Sequence, residues 1–290
     1  MFALLRRIWF LPLVVGTFLV VRHIYLTRRV PPLWSPRTIN DKVLYRMVFD
    51  RRPILPRIIG KLEVRDHVLA RTGDPDLLVD MVGTASNGRE LAALDLPRDF
   101  IVKANHLSGF HHVHRGPEPP DLTAIAAKVT RWSRHIGWSE WAYSHVRHTC
   151  IVEHLMLQDG QVPDDYKIFC FDGRVYFVLV TTGRFSEKCV DIFRPDWTWI
   201  DARHGKLPNA ERPPPRPERW AAMIALAETL SYGLDFVRVD LYQFNGRIKV
   251  GEMTVYSDRA TVIYSPAGIE DMLGAPWVLP KRGRLGKADR

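Results

Sequence analysis

The residues best suited to chemistry lie in the C-terminal segment DFVRVDLYQFNGRIKVGEMTV. Alternate residues of a strand point to the same face, so Arg238 and Asp240 share one face, as do Glu252 and Thr254 on the returning strand. If the two strands lie side by side, two carboxylates converge with one arginine. A divalent metal ion that holds phosphate oxygens would neutralise such a pair of carboxylates. A solvated sheet face with an arginine–carboxylate ion pair is the alternative.

Two lysines and a glutamate stand in other strand-like segments. Lys103 lies between apolar residues in FIVKA, where a cation is unusual unless an anion such as phosphate meets it. The loop after it contains Ser108 and Gly109, and it is interpreted either as a phosphate-binding loop or as a plain surface loop. Lys167 in DYKIF and Glu153 in IVEHL are further candidates, for which a solvent-facing position is the alternative.

A coarse pattern of helices and strands must position these residues. Apolar spacing predicts helices at 40–49, capped by Asn40 or Asp41, and at 55–71, 121–135 and 218–232. Alternation predicts strands at 100–104, 150–155, 166–171, 174–180, 235–242 and 247–255, with a polar, histidine-rich loop at 105–115. Asp172-Gly173 and Asn245-Gly246 are typical of two-residue hairpin turns. The pattern therefore predicts an α+β fold with antiparallel hairpins.

The composition is that of a globular protein. The chain has 290 residues, of which 46% are hydrophobic, so a large core can be buried and disorder is excluded. Three scattered cysteines provide neither a disulfide framework nor the paired spacing of a zinc site, and a reducing compartment fits them best. The net charge of +9 suits an acidic partner without identifying it.

An uncharged apolar stretch, IWFLPLVVGTFLVV, covers positions 8–21 and has arginines on both sides. As a helix it would span about 21 Å, which is less than the roughly 30 Å of a membrane's hydrocarbon core. The basic flanks favour a helix that lies in the interface of an anionic membrane. A helix packed on the body of the protein and a signal anchor are the alternatives.

Six segments of the chain, in order, resemble the TupA-like branch of the ATP-grasp superfamily, which is named for teichuronopeptide biosynthesis. They are NDKVLYRMVFDRRP, GKLEVRDHV, FIVKANHLSGF, CIVEHL, DDYKIFCFDGRVYF and DFVRVDLYQFNGRIKVGEMT. The resemblance implies an ATP-grasp fold, in which two antiparallel-sheet subdomains clasp a nucleotide. The expected division of the chain is a membrane-associating segment at 1–30, a helical region at 31–98, the ATP-grasp region at 99–280 and a basic tail at 281–290.

The resemblance also implies ATP as a cofactor and assigns residues to it. Lys103 matches the strand lysine that touches the α- and β-phosphates, and Ser108 and Gly109 lie in the loop that follows. Glu153 lies in the hinge strand whose backbone meets the adenine. Lys167 matches a basic residue that reaches the phosphates from the second sheet.

A second implied cofactor is Mg²⁺. Asp240 and Glu252 match the carboxylates that bind it, and Thr254 takes the place of a frequent asparagine ligand. Arg238 matches the arginine that stabilises the transferring phosphoryl group, so Arg238 and Lys167 are the expected catalytic residues. The chain departs from the family pattern at Leu107, where a glycine is usual, and in TVYSDRA, which lacks the customary proline and glycine.

The implied activity is that of an ATP- and magnesium-dependent carboxylate–amine ligase, which acts through an acyl phosphate in the biosynthesis or modification of a cell-surface polysaccharide. The expected partners are a carboxylate substrate, an amine acceptor such as a polysaccharide precursor, and the surface of an anionic membrane, but no nucleic acid. The expected location is the cytoplasm, at the inner face of the cell membrane. A glycosyltransferase-like enzyme and a non-catalytic nucleotide-binding module are the alternatives.

Overall fold

The computed structural model describes residues 12–137, 139–183 and 187–281. Its α-helices are α1 Pro12–Thr27, α2 Ile39–Phe49, α3 Ile54–Ile59, α4 Lys61–Thr72, α5 Gly88–Ala92, α6 Leu122–Arg134, α7 Trp220–Ser231 and α8 Ile269–Gly274. Its strands are β1 Met81–Ala85, β2 Phe100–Ala104, β3 His111–His114, β4 Cys150–His154, β5 Asp165–Phe171, β6 Arg174–Thr182, β7 Cys189–Phe193, β8 Trp199–Ile200, β9 Arg203–His204, β10 Phe236–Phe244, β11 Arg247–Thr254 and β12 Tyr264–Ser265. Short 3₁₀ turns occur at Pro75–Leu77, Trp141–His145 and Ser257–Ala260.

A four-stranded antiparallel sheet has the order β1-β4-β2-β3. Phe100, Val102 and Ala104 of β2 are fully buried in a core that includes Ile125 and Val129 of α6. The strand period of two therefore turns Ile101 and Lys103 to the opposite face of the sheet. That face is the one available to a ligand.

A six-stranded antiparallel sheet has the order β11-β10-β5-β6-β7-β8. Its strands contribute a large share of the larger core, and α7 packs on β5, β6 and β10. Asp172-Gly173 joins β5 to β6, and Asn245-Gly246 joins β10 to β11. All four turn residues have positive φ, which two-residue hairpin turns of this sequence type require. Both predicted hairpins are present.

The N-terminal helix α1 packs on the body of the protein. Val15 and Leu19 are buried in the larger core, and the Nδ1 atom of His23 is 2.8 Å from the carbonyl oxygen of Ala260. No described helix is both long and apolar enough to cross a membrane. Positions 8–11 of the apolar stretch lie outside the described residues.

Three expectations about local structure are wrong. The helix expected at 55–71 is two helices, α3 and α4, because Gly60 between them has an extended backbone with ψ of 144°. The cap of α2 is Thr38, whose hydroxyl accepts from the backbone N–H of Asp41 while the Asp41 carboxylate accepts from that of Thr38. The loop expected at 105–115 contains β3, an edge strand that pairs through backbone groups despite its polar side chains.

The four-stranded sheet also begins earlier than the sequence suggests. β1 lies within the region expected to be helical, and it pairs with β4. Residues 282–290 of the expected basic tail lie outside the described residues.

Candidate nucleotide and metal site

The hairpin of β10 and β11 sets the register of the predicted metal ligands. Arg238 lies opposite Thr254, and Asp240 lies opposite Glu252. A bulge follows Asp240 at Gly251, where an added Cβ would come within 2.5 Å of the ring of Tyr242. A side chain at Gly251 would therefore force the ring of Tyr242 to shift.

The four predicted residues of this hairpin are in direct contact. Arg238 donates to both oxygens of Asp240, from Nε at 2.7 Å and from Nη2 at 2.8 Å. The same Nη2 lies 3.1 Å from Glu252 and 3.3 Å from the hydroxyl of Thr254. That hydroxyl in turn donates to Glu252 at 3.3 Å. The structure therefore brings together the residues that the sequence analysis assigned to the metal and the phosphoryl group.

Lys167 joins this group from the neighbouring strand β5, where it lies opposite Asp240. Its ammonium donates to Asp240 at 2.8 Å and to Asp165 at 2.5 Å. Asp165 is not among the residues predicted for the site, although its position two residues before Lys167 places it on the same strand face. Three carboxylates thus share the two cations Lys167 and Arg238.

Lys103 faces the group from the four-stranded sheet. Its ammonium donates to Glu153 of β4 at 2.5 Å, and Arg65 of α4 lies 3.7 Å from the other oxygen of Glu153. The side chain of Glu153 therefore holds Lys103 in place, while the role expected for this residue concerned only the backbone of its strand.

The loop after β2 is held by a residue that the sequence analysis missed. Lys61, at the start of α4, donates to the carbonyl oxygens of Ala104 at 2.9 Å and Leu107 at 3.1 Å. Gly109 has φ of +83°, and nothing lies within 4 Å of where its Cβ would be. Leu107, which replaces the usual glycine, is buried in the smaller core.

A cavity of about 260 Å³ lies between the two sheets. Its lining includes seven of the predicted site residues, which are Lys103, Ser108, Gly109, Glu153, Lys167, Asp240 and Glu252. Arg238 and Thr254 are not in the lining, and they contact Asp240 and Glu252 from behind. Lys61, Asp165 and Tyr242 line the cavity as well, and the sequence analysis assigned none of them.

Burial and neighbouring cations have opposite effects on the pKa values of the two facing carboxylates, Asp240 and Glu252. Burial raises the pKa of Asp240 to about 6, although Arg238 and Lys167 oppose the rise. Burial would also raise the pKa of Glu252, but Lys61, Arg238 and Lys167 outweigh it and hold that pKa below its ordinary value. Both carboxylates are therefore largely ionised at neutral pH.

The donor set fits a magnesium ion that is shared with phosphates. Among the described residues, no three His, Cys, Asp or Glu side chains are arranged as a metal centre of protein ligands alone. Mg²⁺, however, typically takes one or two carboxylates and completes its shell with water and phosphate oxygens. Asp240 and Glu252 provide those two carboxylates on one sheet face, with the Thr254 hydroxyl beside them.

The sequence matches the family model of TupA-like ATP-grasp proteins over residues 41–278. The chain belongs to the TupA-like ATP-grasp family. Family membership and the two antiparallel sheets confirm the predicted α+β ATP-grasp fold. The predicted enzyme class, an ATP-grasp ligase that forms carbon–nitrogen bonds, agrees with membership of this family.

Solved structures of ATP-grasp ligases are similar to this chain at low sequence identity. The ADP complex of PurK, an N5-carboxyaminoimidazole ribonucleotide synthetase, is 12% identical with a TM-score of 0.44, over 74% of this chain and 46% of that one. D-alanine–D-alanine ligase from Bacillus anthracis with ATP is 14% identical with a TM-score of 0.40, over 69% of this chain and 54% of that one. This chain thus spans about half the length of these structures. No curated protein matches the sequence significantly.

Proposed function

We propose that this protein is an ATP- and magnesium-dependent ligase that joins a carboxylate to an amine through an acyl phosphate. The observation that carries the proposal is the cavity between the sheets, which Lys103 enters from one side and Lys167, Asp240 and Glu252 enter from the other. Cations from two sheets suit a polyphosphate, and the facing carboxylates suit the metal ion that accompanies it.

In this proposal the ion pairs of Lys103 and Lys167 are exchanged for contacts with the nucleotide. Lys103 turns from Glu153 to the phosphates, and Lys167 turns from Asp165 and Asp240 to the same phosphates. Asp240 and Glu252, with the Thr254 hydroxyl, would hold Mg²⁺, which when bound neutralises phosphate charge during phosphoryl transfer. Arg238 remains against both carboxylates and adds positive charge where the phosphoryl group is transferred.

The adenine is assigned to the end of β4. Leu155 and Met156 follow that strand and line the cavity together with Ile101 and Val79, which provides an apolar surface for the base. Ser108 and Gly109 lie in the same lining, where the open space at Gly109 lets the backbone approach a phosphate.

One observation favours a second candidate, a non-catalytic nucleotide-binding module. Leu107 stands where the family usually has a glycine, and its burial fixes this part of the loop in the smaller core. A loop that is held in this way could bind phosphates without closing over them. The two functions differ in turnover but not in nucleotide binding.

The test separates binding from turnover. Isothermal titration of the full chain with MgATP should show binding that Lys103→Ala weakens about tenfold to a hundredfold, the effect of losing one charged hydrogen bond. The exposed Lys206 provides the control variant, Lys206→Ala, which should bind like the wild type. Release of ADP on addition of carboxylic acids and amines then supports the ligase. Binding without release under any combination would favour the module, and absence of binding would contradict both.

We also propose that the protein works in the cytoplasm at an anionic membrane, on a polysaccharide precursor. The resemblance alone supports the precursor. The membrane contact is supported by α1, whose outer side exposes Val14, Phe18, Val21 and Tyr25 at helical spacing. Full-length protein should sediment with phosphatidylglycerol vesicles and be released by salt, whereas Phe18→Asp should not sediment. Val278→Asp, at a position 81% exposed, is the control, and equal sedimentation of both variants would contradict the role of α1.

A further inference from the structure

Three charged side chains outside the nucleotide cavity converge from distant parts of the chain. Arg22 is on α1, Glu140 precedes the 3₁₀ turn Trp141–His145, and Arg259 lies in the 3₁₀ turn that follows β11. The buried hydrogen bond between His23 and the carbonyl oxygen of Ala260 joins the residues next to Arg22 and Arg259. That bond therefore holds together the two segments that carry the arginines.

The turn that carries Glu140 is fastened to the same segment. The backbone N–H of Ala142 donates to the hydroxyl of Tyr256 at 3.4 Å, and both residues are buried. Three successive residues of that segment, Asp258, Arg259 and Ala260, have positive φ between 50° and 58°. Non-glycine residues rarely adopt this conformation, and runs of them occur where surrounding structure enforces them.

None of the three charged side chains forms an ion pair with another residue that the structure describes. Glu140 is only 8% exposed, and no hydrogen bond or ion pair joins its carboxylate to a side chain among the described residues. Burial raises the pKa of Glu140 to about 7, although Arg259, Arg22 and Lys61 oppose the rise. Arg22 and the exposed Arg259 likewise have no side-chain partner among the described residues, and burial and the charge of Arg259 lower the pKa of Arg22.

This group adjoins the reactive end of the nucleotide site. The Nη1 atom of Arg238 donates to the hydroxyl of Ser257 at 3.3 Å, and that hydroxyl donates to the carboxylate of Asp258 at 3.0 Å. Asp258 immediately precedes Arg259, so the segment that carries Arg259 contacts Arg238 directly. A molecule held at Arg259 therefore lies next to the place where the phosphoryl group would be transferred.

We propose that Arg22, Arg259 and Glu140 form the subsite for the amine acceptor, which carries an anionic group in addition to its amine. The assignment rests on the proposed function. The two unpaired guanidinium groups bind the anionic group, a carboxylate or a phosphate, and the buried carboxylate of Glu140 binds the ammonium. An unpaired buried carboxylate is costly, and an ammonium beside it would remove that cost. The subsite includes α1, which lies outside the residues 41–278 that match the family.

The test measures binding to the full chain by ligand-observed NMR, with three small amines as probes. Glycine and phosphoethanolamine carry an anionic group, and ethanolamine does not. We expect an anionic probe to bind at least tenfold more tightly than ethanolamine. A preference for glycine identifies the anionic group as a carboxylate, and a preference for phosphoethanolamine identifies it as a phosphate. Equal binding of all three, or no binding, would overturn the proposal.

Variants locate the binding. Arg22→Ala, Arg259→Ala and Glu140→Gln should each lower the affinity for the anionic probe about tenfold. Arg22→Lys should retain part of that affinity, because it keeps the charge. Arg28→Ala, at the end of the same helix with its guanidinium over the ring of Tyr25, is the matched control. Unchanged affinity in all three test variants would also overturn the proposal.

A parallel titration with MgADP separates this proposal from the proposed function. All of these variants should bind MgADP like the wild type, because none of them lines the nucleotide cavity. If the wild type does not bind MgADP, the proposed function is contradicted, whereas the affinities for the three amines still test the subsite.

Discussion

Replacing Lys167 with methionine removes one charge from the centre of the site while keeping most of the side-chain volume. The ammonium of Lys167 lies between Asp165 and Asp240, which are 2% and 1% exposed. Removing one partner of a buried pair costs about 3–5 kcal/mol, because the other charge remains buried. Arg238 still pairs with Asp240 in the variant, so we expect the low end of that range, about 3 kcal/mol.

The same substitution should weaken ATP binding. One charged hydrogen bond to a phosphate contributes about 1.5–3 kcal/mol, which corresponds to a tenfold to hundredfold change in Kd. AMP should lose much less affinity, because Lys167 is assigned to phosphates that AMP lacks. Urea denaturation measures the free energy of unfolding, and isothermal titration measures both nucleotide affinities, with Lys206→Met as the control.

A double variant separates the two effects. Lys167→Met with Asp165→Asn removes one charge of each sign, so most of the stability should return, whereas the affinity for ATP should stay low. The reasoning would be refuted if the double variant regained ATP binding together with stability, or if Lys167→Met weakened ATP and AMP equally. Either outcome would mean that Lys167 has a structural role only.

Three further predictions follow from single positions. Glu252→Gln should abolish the magnesium dependence of ATP binding and leave the fold intact, as seen by titration with and without Mg²⁺ and by circular dichroism; an unchanged dependence would exclude Glu252 as a ligand. Burial lowers the pKa of His106 to about 4, so the unfolded chain binds more protons between pH 6.5 and 4. As the pH falls from 6.5 to 4, the free energy of unfolding should fall by at most about 3 kcal/mol. In His106→Gln, urea denaturation should show a free energy of unfolding that depends less on pH over this range. Gly251→Ala should lower the free energy of unfolding by about 1–3 kcal/mol in the same assay, because its Cβ would meet the ring of Tyr242, and Tyr242→Ala in the same chain should restore most of the loss.

The sequence by itself determined the parts of the site that depend on local geometry. The period of two along a strand and the chemistry of Asn-Gly turns place Arg238, Asp240, Glu252 and Thr254 on one face, and the structure has them in contact. A lysine among apolar residues in β2 likewise indicated a face of the sheet that a ligand would occupy. Both hairpins and the strand at 100–104 follow from such patterns. The expected division of the chain into regions stays a prediction.

Only the tertiary structure decided which distant segments meet. Lys167 reaches Asp240 because β5 pairs with β10, and strand order depends on the packing of whole sheets rather than on any local pattern. Lys61 enters the site because Gly60 breaks an apparently continuous helix and starts α4 beside the loop after β2. The contact of α1 with the segment after β11 joins residues more than 230 positions apart. Such contacts form because burying apolar surface between remote elements outweighs the entropy lost in ordering them, and a pattern read along one stretch of chain carries no information on that balance.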